Sequence, residues 1–98
     1  MKQAERVIFR EEKNPYAPNG KSFLAVFPDE EANPGRINCL PFYCENEITY
    51  YAPYCECSCE YYYSTRIVHK GTEEAARCLQ AIERYFDGKF TVCEKLTH

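Results

Sequence analysis

The sequence predicts an α+β fold: a curled antiparallel sheet of four to five strands with one C-terminal helix packed on one face, then a final strand. Short segments alternate apolar and polar residues with a period of two, and turn residues separate them. Only residues 72–87 carry apolar residues at helical spacing, on one side, so this helix is expected to cover one face of the sheet. The length of 98 residues predicts a single domain, 1–98.

The first two predicted strands form a hairpin. Residues 5–13 alternate, with Val7 and Phe9 on one face. Residues 21–28 are apolar on both faces, which is typical of a central strand. Two prolines and an Asn-Gly pair in residues 14–20 predict the turn between them.

The middle of the chain has the least regular pattern. Residues 36–54 fit either a short strand or a long loop packed by its own aromatic residues, and both readings stay open. Residues 54–68 alternate cleanly and predict a long half-buried strand. Its inward face would carry Cys55, Cys57, Cys59, Tyr61 and Tyr63, and its outward face Glu56, Ser58, Glu60, Tyr62 and Ser64.

The predicted helix over 72–87 has signals at both ends. Thr72 is the expected N-cap and Gly88 the expected C-cap. A last strand is predicted over residues 89–96. The apolar stripe of the helix consists of Ala75, Cys78, Leu79, Ile82 and Phe86.

Composition and charge narrow the classes of function. The net charge is −3 with no basic block, so duplex nucleic acid is not an expected partner, since clustered cations supply most of that affinity. The chain has neither a signal peptide pattern nor an apolar run of about 20 residues, so we expect a cytoplasmic protein with no membrane contact. An acidic protein suits a protein partner with a basic surface.

Five of the seven cysteines form the group that most resembles a metal site: Cys39, Cys44, Cys55, Cys57 and Cys59. Sulfur ligands of one zinc ion lie under about 4 Å apart. Residues two apart on a straight strand begin about 6.6 Å apart, and no Cys-x-x-Cys pair occurs. We therefore expect buried thiols, no metal and no other cofactor. A small cysteine-based zinc-binding module is the alternative.

The sequence predicts no catalytic residue and hence no enzyme. A nucleophilic cysteine needs a base, and the chain offers only His69 and the terminal His98. His69 lies ten positions from Cys59 on the same predicted strand. Glu56 and Glu60 show no arrangement that marks an acid–base pair, and single scattered glycines exclude a phosphate-binding loop.

Tyrosine is concentrated in one part of the chain, since seven of the nine tyrosines fall within residues 43–63. Tyrosine is enriched at protein interfaces because its large rigid ring ends in a polar group. The alternative is that these rings only pack the irregular segment onto the sheet. The predicted partner-binding residues are Tyr43, Tyr50, Tyr54, Glu56, Glu60 and Tyr62.

Several short motifs follow one another in a recognisable order: Val7-Ile8-Phe9-Arg10, Phe27-Pro28-Asp29-Glu30, Asn33-Pro34-Gly35, Ile37-Asn38-Cys39, Glu60-Tyr61-Tyr62-Tyr63-Ser64-Thr65-Arg66 and Glu73-Glu74-Ala75. This order resembles a group of small uncharacterised proteins from gut bacteria and their phages and conjugative elements. Residues 40–54 depart from it, because they lack a His- and Gly-containing stretch of that group. The resemblance implies a setting of mobile elements and phage–host conflict, and it assigns no site residue.

These observations together predict a non-enzymatic binding protein. By analogy with that setting, we expect a phage or mobile-element inhibitor of a bacterial defence system, such as an anti-CRISPR protein. Besides the zinc-binding module, a protein that sequesters a nucleotide signal in an aromatic pocket is an alternative. A homodimer is compatible with the sequence.

Overall fold

The computed structural model describes residues 5–17, 20–30, 36–45, 48–51 and 55–96, with the backbone alone for those between 44 and 61. The α+β class is confirmed, with an antiparallel sheet, one main helix and a final strand. The elements are β1 (Glu5–Lys13), β2 (Lys21–Val26), β3 (Arg36–Glu45), β4 (Ile48–Tyr51), β5 (Cys55–Ser58), α1 (Cys59–Ser64), β6 (Arg66–Ile67), α2 (Glu73–Phe86) and β7 (Phe90–Val92).

The sheet has β2 at its centre, as its two apolar faces predict. The strand order is β4-β3-β2-β1-β6, and every neighbouring pair along it is antiparallel. On the side away from β2, β3 pairs with β5 over residues 36–39 and with β4 over residues 42–45. β5 and β4 therefore lie end to end along β3. On the other side of the sheet, β1 pairs antiparallel with β6 and parallel with β7. The sheet therefore has two composite edges, β4 with β5 and β6 with β7.

The segment left open between a strand and a loop forms a strand of ten residues, β3. Pro41 lies inside it, although proline cannot donate to a ladder. On the outer side of β3, pairing with β5 ends at Cys39 and pairing with β4 begins at Phe42. Pro41 therefore lies between the residues of β3 that pair with β5 and those that pair with β4.

One face of the sheet, named here the α2 face, is covered by α2. Ile82 and Cys78 are fully buried, which confirms the predicted stripe, and Leu79 packs against it partly buried. Phe86 is 39% exposed, so its predicted burial is wrong, because the helix ends there at the margin of the sheet. The buried cluster contains Val7, Phe9, Phe23, Ala25, Phe27, Leu40, Phe42, Val68, Ala75, Cys78, Ala81 and Ile82.

The two ends of α2 are capped differently from one another. The Thr72 hydroxyl accepts a hydrogen bond from the Ala75 N–H at 3.2 Å, which confirms the predicted N-cap. At the other end the C-cap is Asp87, with φ 51°, and not Gly88. Asp tolerates the left-handed region better than most residues with a side chain. The N–H groups of Asp87 and Gly88 both point to the Glu83 carbonyl.

The predicted long strand over 54–68 is wrong, because β5 ends at Ser58 and the next six residues form α1. Tyr62, predicted to point outward, is 2% exposed, and Tyr63, predicted to point inward, is 68% exposed. A helix turns successive side chains by about 100° rather than 180°, so the alternation over β5 does not continue into α1.

The opposite face of the sheet, named here the α1 face, is covered by α1 and by the segment after β7. Its buried cluster consists of Ile8, Leu24, Val26, Cys39 and Tyr62. Cys93 and Leu96 pack against this cluster. The predicted final strand is present but shorter than 89–96, and the Cys93 N–H continues its pairing with the Val7 carbonyl at 2.9 Å.

Candidate partner-binding surfaces

The edge formed by β4 and β5 holds two of the predicted partner-binding residues, Tyr50 and Glu56, and a third lies on the neighbouring strand β3. Tyr43 on β3 is half-buried, and its register partner on β4 is Tyr50. Glu56 lies on β5 opposite Asn38 of β3. β4 and β5 are outermost, and within the described residues no further strand pairs with them. Two predicted tyrosines are thus paired across β3 and β4, with Glu56 further along the same edge.

Two other predicted residues belong to the same part of the chain. Glu60 lies in α1, directly after β5. Tyr54 lies between β4 and β5, outside the described residues.

Tyr62 is a core residue, and the prediction that it faces a partner is wrong. The Arg10 guanidinium lies 4.4 Å from its ring centroid. Arg10 also donates from Nε to the Thr65 hydroxyl at 2.9 Å and from Nη2 to the Thr65 carbonyl. Burial raises the pKa of Tyr62, although the nearby Arg10 opposes this shift. These contacts fasten α1 to β1.

The end of α2 carries a second group of exposed aromatic side chains, named here the aromatic ledge: Tyr85, Phe86 and Phe90. Tyr85 is 44% exposed, and its ring meets that of Phe86 edge to face at 4.8 Å. Phe86 lies 5.7 Å from Phe90 and 5.7 Å from the buried Phe27. The rings therefore form a continuous path from the core to the surface.

Carboxyl groups collect beside the aromatic ledge. Glu5 is the register partner of Phe90. Burial, a hydrogen bond with Glu30 and the charges of Glu30 and Asp29 raise the pKa of Glu5 to about 7. The Asp29 carboxylate accepts three hydrogen bonds from Arg6, at 2.8, 3.0 and 3.2 Å. We call Glu5, Asp29 and Glu30 the carboxyl group cluster.

Sequence reasoning missed both the ledge and this cluster. Phe86 fits the apolar stripe of α2, and periodicity alone does not show that this end of the helix is 39% exposed at Phe86. Glu5 and Glu30 meet only through the hairpin. The one available signal was the pair of phenylalanines on either side of the Asp87-Gly88 helix end.

A third candidate is an open cleft of about 580 Å³ beside the β1–β2 hairpin. The buried Glu11 accepts hydrogen bonds there from Lys21 and Arg66, and Lys21 also donates to Glu74 at 2.5 Å. Burial alone would raise the pKa of Glu11, but its hydrogen-bonded neighbours hold it below the ordinary value. These charges bind one another and tie the hairpin to the start of α2.

Three cysteines have described side chains, and they are distributed over both faces of the sheet. Cys39 and Cys78 are fully buried on opposite faces of the sheet, and Cys93 is half-buried. Among the side chains that the structure describes, no three His, Cys, Asp or Glu residues are grouped to hold a metal ion. His69 pairs through Nδ1 with Glu94 at 3.2 Å, and the Lys70 N–H donates to the same carboxylate, which holds the C-terminal segment in place.

Comparison with family models, with curated proteins and with solved structures found no match to this chain. The resemblance to proteins of gut bacteria and their phages therefore stays a prediction. In the described part of the chain, no helix has the length and hydropathy needed to span a membrane.

Proposed function

We propose that this chain is a non-enzymatic binding protein that docks on the basic surface of another protein through its β4–β5 edge. The observation that carries the proposal is the pairing of Tyr43 of β3 with Tyr50 of the outermost strand β4. Following the resemblance, the partner class is a bacterial defence protein, and the chain would act as a phage or mobile-element inhibitor.

The geometry of the edge supports this proposal in two ways. An outermost strand offers backbone donors and acceptors to a partner, while rigid tyrosines supply contact area at low entropic cost. Glu56 and Glu60 follow the tyrosines along the chain, and the net charge of −3 favours encounter with a basic surface.

Affinity capture from the natural host, with wild type and Tyr50→Ala as baits, tests the proposal. A protein that depends on this edge should be lost by about tenfold or more with Tyr50→Ala, as expected for a tyrosine at the centre of an interface. Tyr16→Ala is the matched control, because Tyr16 is 91% exposed in the β1–β2 turn. Equal capture by all three baits would contradict the proposal.

The contribution of the acidic residues is measured separately, as the rate of association with the captured partner. Glu56→Lys should slow association more at low salt than at high salt, because exposed charges are screened within about 10 Å at 0.1 M. A lower affinity with an unchanged association rate would show that Glu56 does not steer the encounter.

A zinc-binding module is the second candidate, favoured by one observation. The register places Cys55 of β5 opposite Cys39 of β3, so cysteines from two strands share one position along the sheet. We still expect no zinc, since sulfur ligands of one ion lie under about 4 Å apart, whereas residues two apart on a straight strand begin about 6.6 Å apart. Elemental analysis of protein purified without chelator checks this. One zinc per chain, together with unfolding on chelation, would favour the module.

A further inference from the structure

We propose that the cleft of about 580 Å³ beside the β1–β2 hairpin binds a phosphate group, either free or carried by a small molecule. This site is named here the hairpin cleft, and Glu11, Lys13, Lys21, Thr65 and Arg66 belong to its lining. It lies between β1 and the start of β6, on the far side of β2 from β4 and β5. The inference therefore does not depend on docking through the β4–β5 edge.

The hairpin cleft exists because β1 is longer than its outer neighbour β6. β6 pairs with β1 at only two positions, one of which joins Arg66 to Glu11. The chain before Arg66 leaves the sheet through Thr65 and α1, whereas β1 continues to Lys13. The last two residues of β1 therefore have β2 on one side and the cleft on the other.

The backbone of β1 directs one donor towards the cleft. Successive residues of an antiparallel strand bond to opposite neighbours. On the outer side of β1, the Phe9 carbonyl accepts a hydrogen bond from the Val68 N–H at 2.9 Å. On the hairpin side, the Asn14 N–H donates to the Gly20 carbonyl at 2.9 Å. Lys13 is an even number of residues from Phe9, so its N–H points outward, beyond the end of β6.

Three cationic side chains share one face of the sheet at this cleft. Lys13 and Lys21 are register partners, and Arg66 is the register partner of Glu11. Directly opposite residues share a face, and so do residues two apart on a strand, which places all four on the α2 face. Glu12 also lines the cleft, but the same alternation places it on the opposite face. Because like charges directly opposite each other repel, an anion beside the two lysines relieves their repulsion.

The carboxylates on this face leave one cation uncompensated. The Glu11 side chain is 8% exposed and accepts hydrogen bonds from both Lys21 and Arg66. Lys21 also donates to Glu74 at 2.5 Å. Lys13 is exposed, and no hydrogen bond or ion pair within the described residues involves its ammonium group. Three cations thus meet two carboxylates, so this face attracts an anion although the whole chain is acidic.

Arg66 gives the cleft its preference for phosphate. Its guanidinium donates from Nη2 to Glu11, while the side chain as a whole is 79% exposed and lines the cleft. A guanidinium carries five N–H donors in one plane, and two of them match two oxygens of a phosphate group. The bond to the buried Glu11 orients this plane before a ligand arrives, which reduces the entropy lost on binding.

The size and lining of the cleft indicate a small ligand. Its volume of about 580 Å³ lies within the range of small-molecule sites, so an organic group attached to the phosphate has room. None of the lining residues that the structure describes is aromatic, so the phosphate is the group that the cleft recognises. Three cations around one cleft do not follow the row of phosphates that a nucleic acid duplex presents.

The test is titration of ¹⁵N-labelled protein with inorganic phosphate at constant pH and ionic strength, followed by NMR. The Lys13 amide and the Arg66 Nε–H signals should shift and reach saturation, and sodium chloride should not reproduce these shifts. Glycerol 3-phosphate and glycerol are the next ligands, and glycerol should cause no shift. Tighter binding of glycerol 3-phosphate than of inorganic phosphate would assign the site to a phosphate ester, and equal or weaker binding would assign it to the free ion.

Two variants and a charge-matched control complete the test. Lys13→Gln should weaken phosphate binding by about two- to fivefold, as expected for an exposed ion pair. Arg66→Gln should weaken it by about tenfold or more, because charge-assisted hydrogen bonds are lost. Lys89→Gln is the control, since its side chain is 86% exposed and it precedes Phe90, which pairs with the other end of β1.

The Lys13→Gln variant separates binding from folding. It removes no described side-chain contact, so its urea denaturation curve should match that of wild type. Equal weakening by Lys13→Gln and Lys89→Gln would overturn the proposal, because only net charge would then matter. Shifts that do not saturate, or that sodium chloride reproduces, would also overturn it. Tyr50→Ala should leave the titration unchanged, which separates this site from the β4–β5 edge.

Discussion

At the scale of single residues, Tyr62 and Tyr63 show how one helical turn separates core from surface. Tyr62 is 2% exposed under Arg10, whereas its neighbour Tyr63 is 68% exposed. Tyr62→Ala should lower the free energy of unfolding by about 3–5 kcal/mol, because it empties the centre of the α1 face. Tyr63→Ala should cost about 1 kcal/mol or less, mostly through its edge-to-face contact with Tyr62.

Urea denaturation of the two variants and of wild type measures this difference. A large effect of Tyr63→Ala, with a small effect of Tyr62→Ala, would restore the alternating strand that the sequence predicts over 54–68.

Glu5 should make stability fall as pH rises through neutral. Its pKa is about 7 in the folded protein, above its ordinary value of 4.5. A group whose pKa is raised by folding contributes fully to the free energy of unfolding at a pH below its unfolded pKa. This contribution is lost as the pH rises through the pKa of the folded protein. Because Glu5 is partly exposed, solvent reduces this contribution to about 1 kcal/mol.

Glu5→Gln should therefore be less sensitive to pH between about 5 and 8 than wild type, as measured by urea melts across that range. The control is Glu12→Gln, further along β1, which leaves the Glu5–Glu30 pair intact. Curves of equal slope for wild type and Glu5→Gln would contradict the assignment of this pH dependence to Glu5.

At the scale of elements, α2 stabilises the sheet through one stripe. Ile82 is fully buried against the α2 face, and Ile82→Ala should cost about 2–5 kcal/mol in the free energy of unfolding. Gln80→Ala is the matched control on the exposed side of the same helix, with an expected change within about 0.5 kcal/mol. A change below about 0.5 kcal/mol for Ile82→Ala would show that the stripe does not face the core.

The predictability of each element follows from where its stabilising contacts lie. β1 and α2 were predicted with nearly the observed bounds, because the periodicity of their apolar residues and the Thr72 cap are local signals. α1 was missed because its contacts are distant in sequence, above all Arg10 with Tyr62 and Thr65, 52 and 55 positions away. The four residues of β5 alternate in the same way whether the strand continues or a helix follows, so their pattern does not show where the strand ends.

The candidate sites divide in the same way. The concentration of tyrosine in residues 43–63 is a local signal, whereas the pairing of Tyr43 with Tyr50 comes from a β3–β4 hairpin that the sequence does not predict. The aromatic ledge depends instead on the exact place where α2 ends relative to the sheet. Such a place is set by packing of Phe86 on Phe27, which no local pattern contains.

At the scale of the whole molecule, the two buried clusters share the same three central strands. Ile8 faces α1 and its neighbour Phe9 faces α2, so loss of β1 would open both faces at once. The two clusters should therefore unfold in one cooperative step, although they lie on opposite sides of the sheet. This cooperativity is also what a single domain over residues 1–98 requires.

Two thiols report on the two faces separately. Cys78 is buried on the α2 face and Cys39 on the α1 face, each with no exposed surface. In a pulse of alkylating reagent at increasing urea, quantified by peptide mass spectrometry, both should become reactive at the same urea concentration. Cys93, which is half-buried after β7, should react at lower urea through local opening. If Cys39 were labelled well before Cys78, α1 and the C-terminal segment would detach while the α2 face stays folded, and the chain would not unfold as one unit.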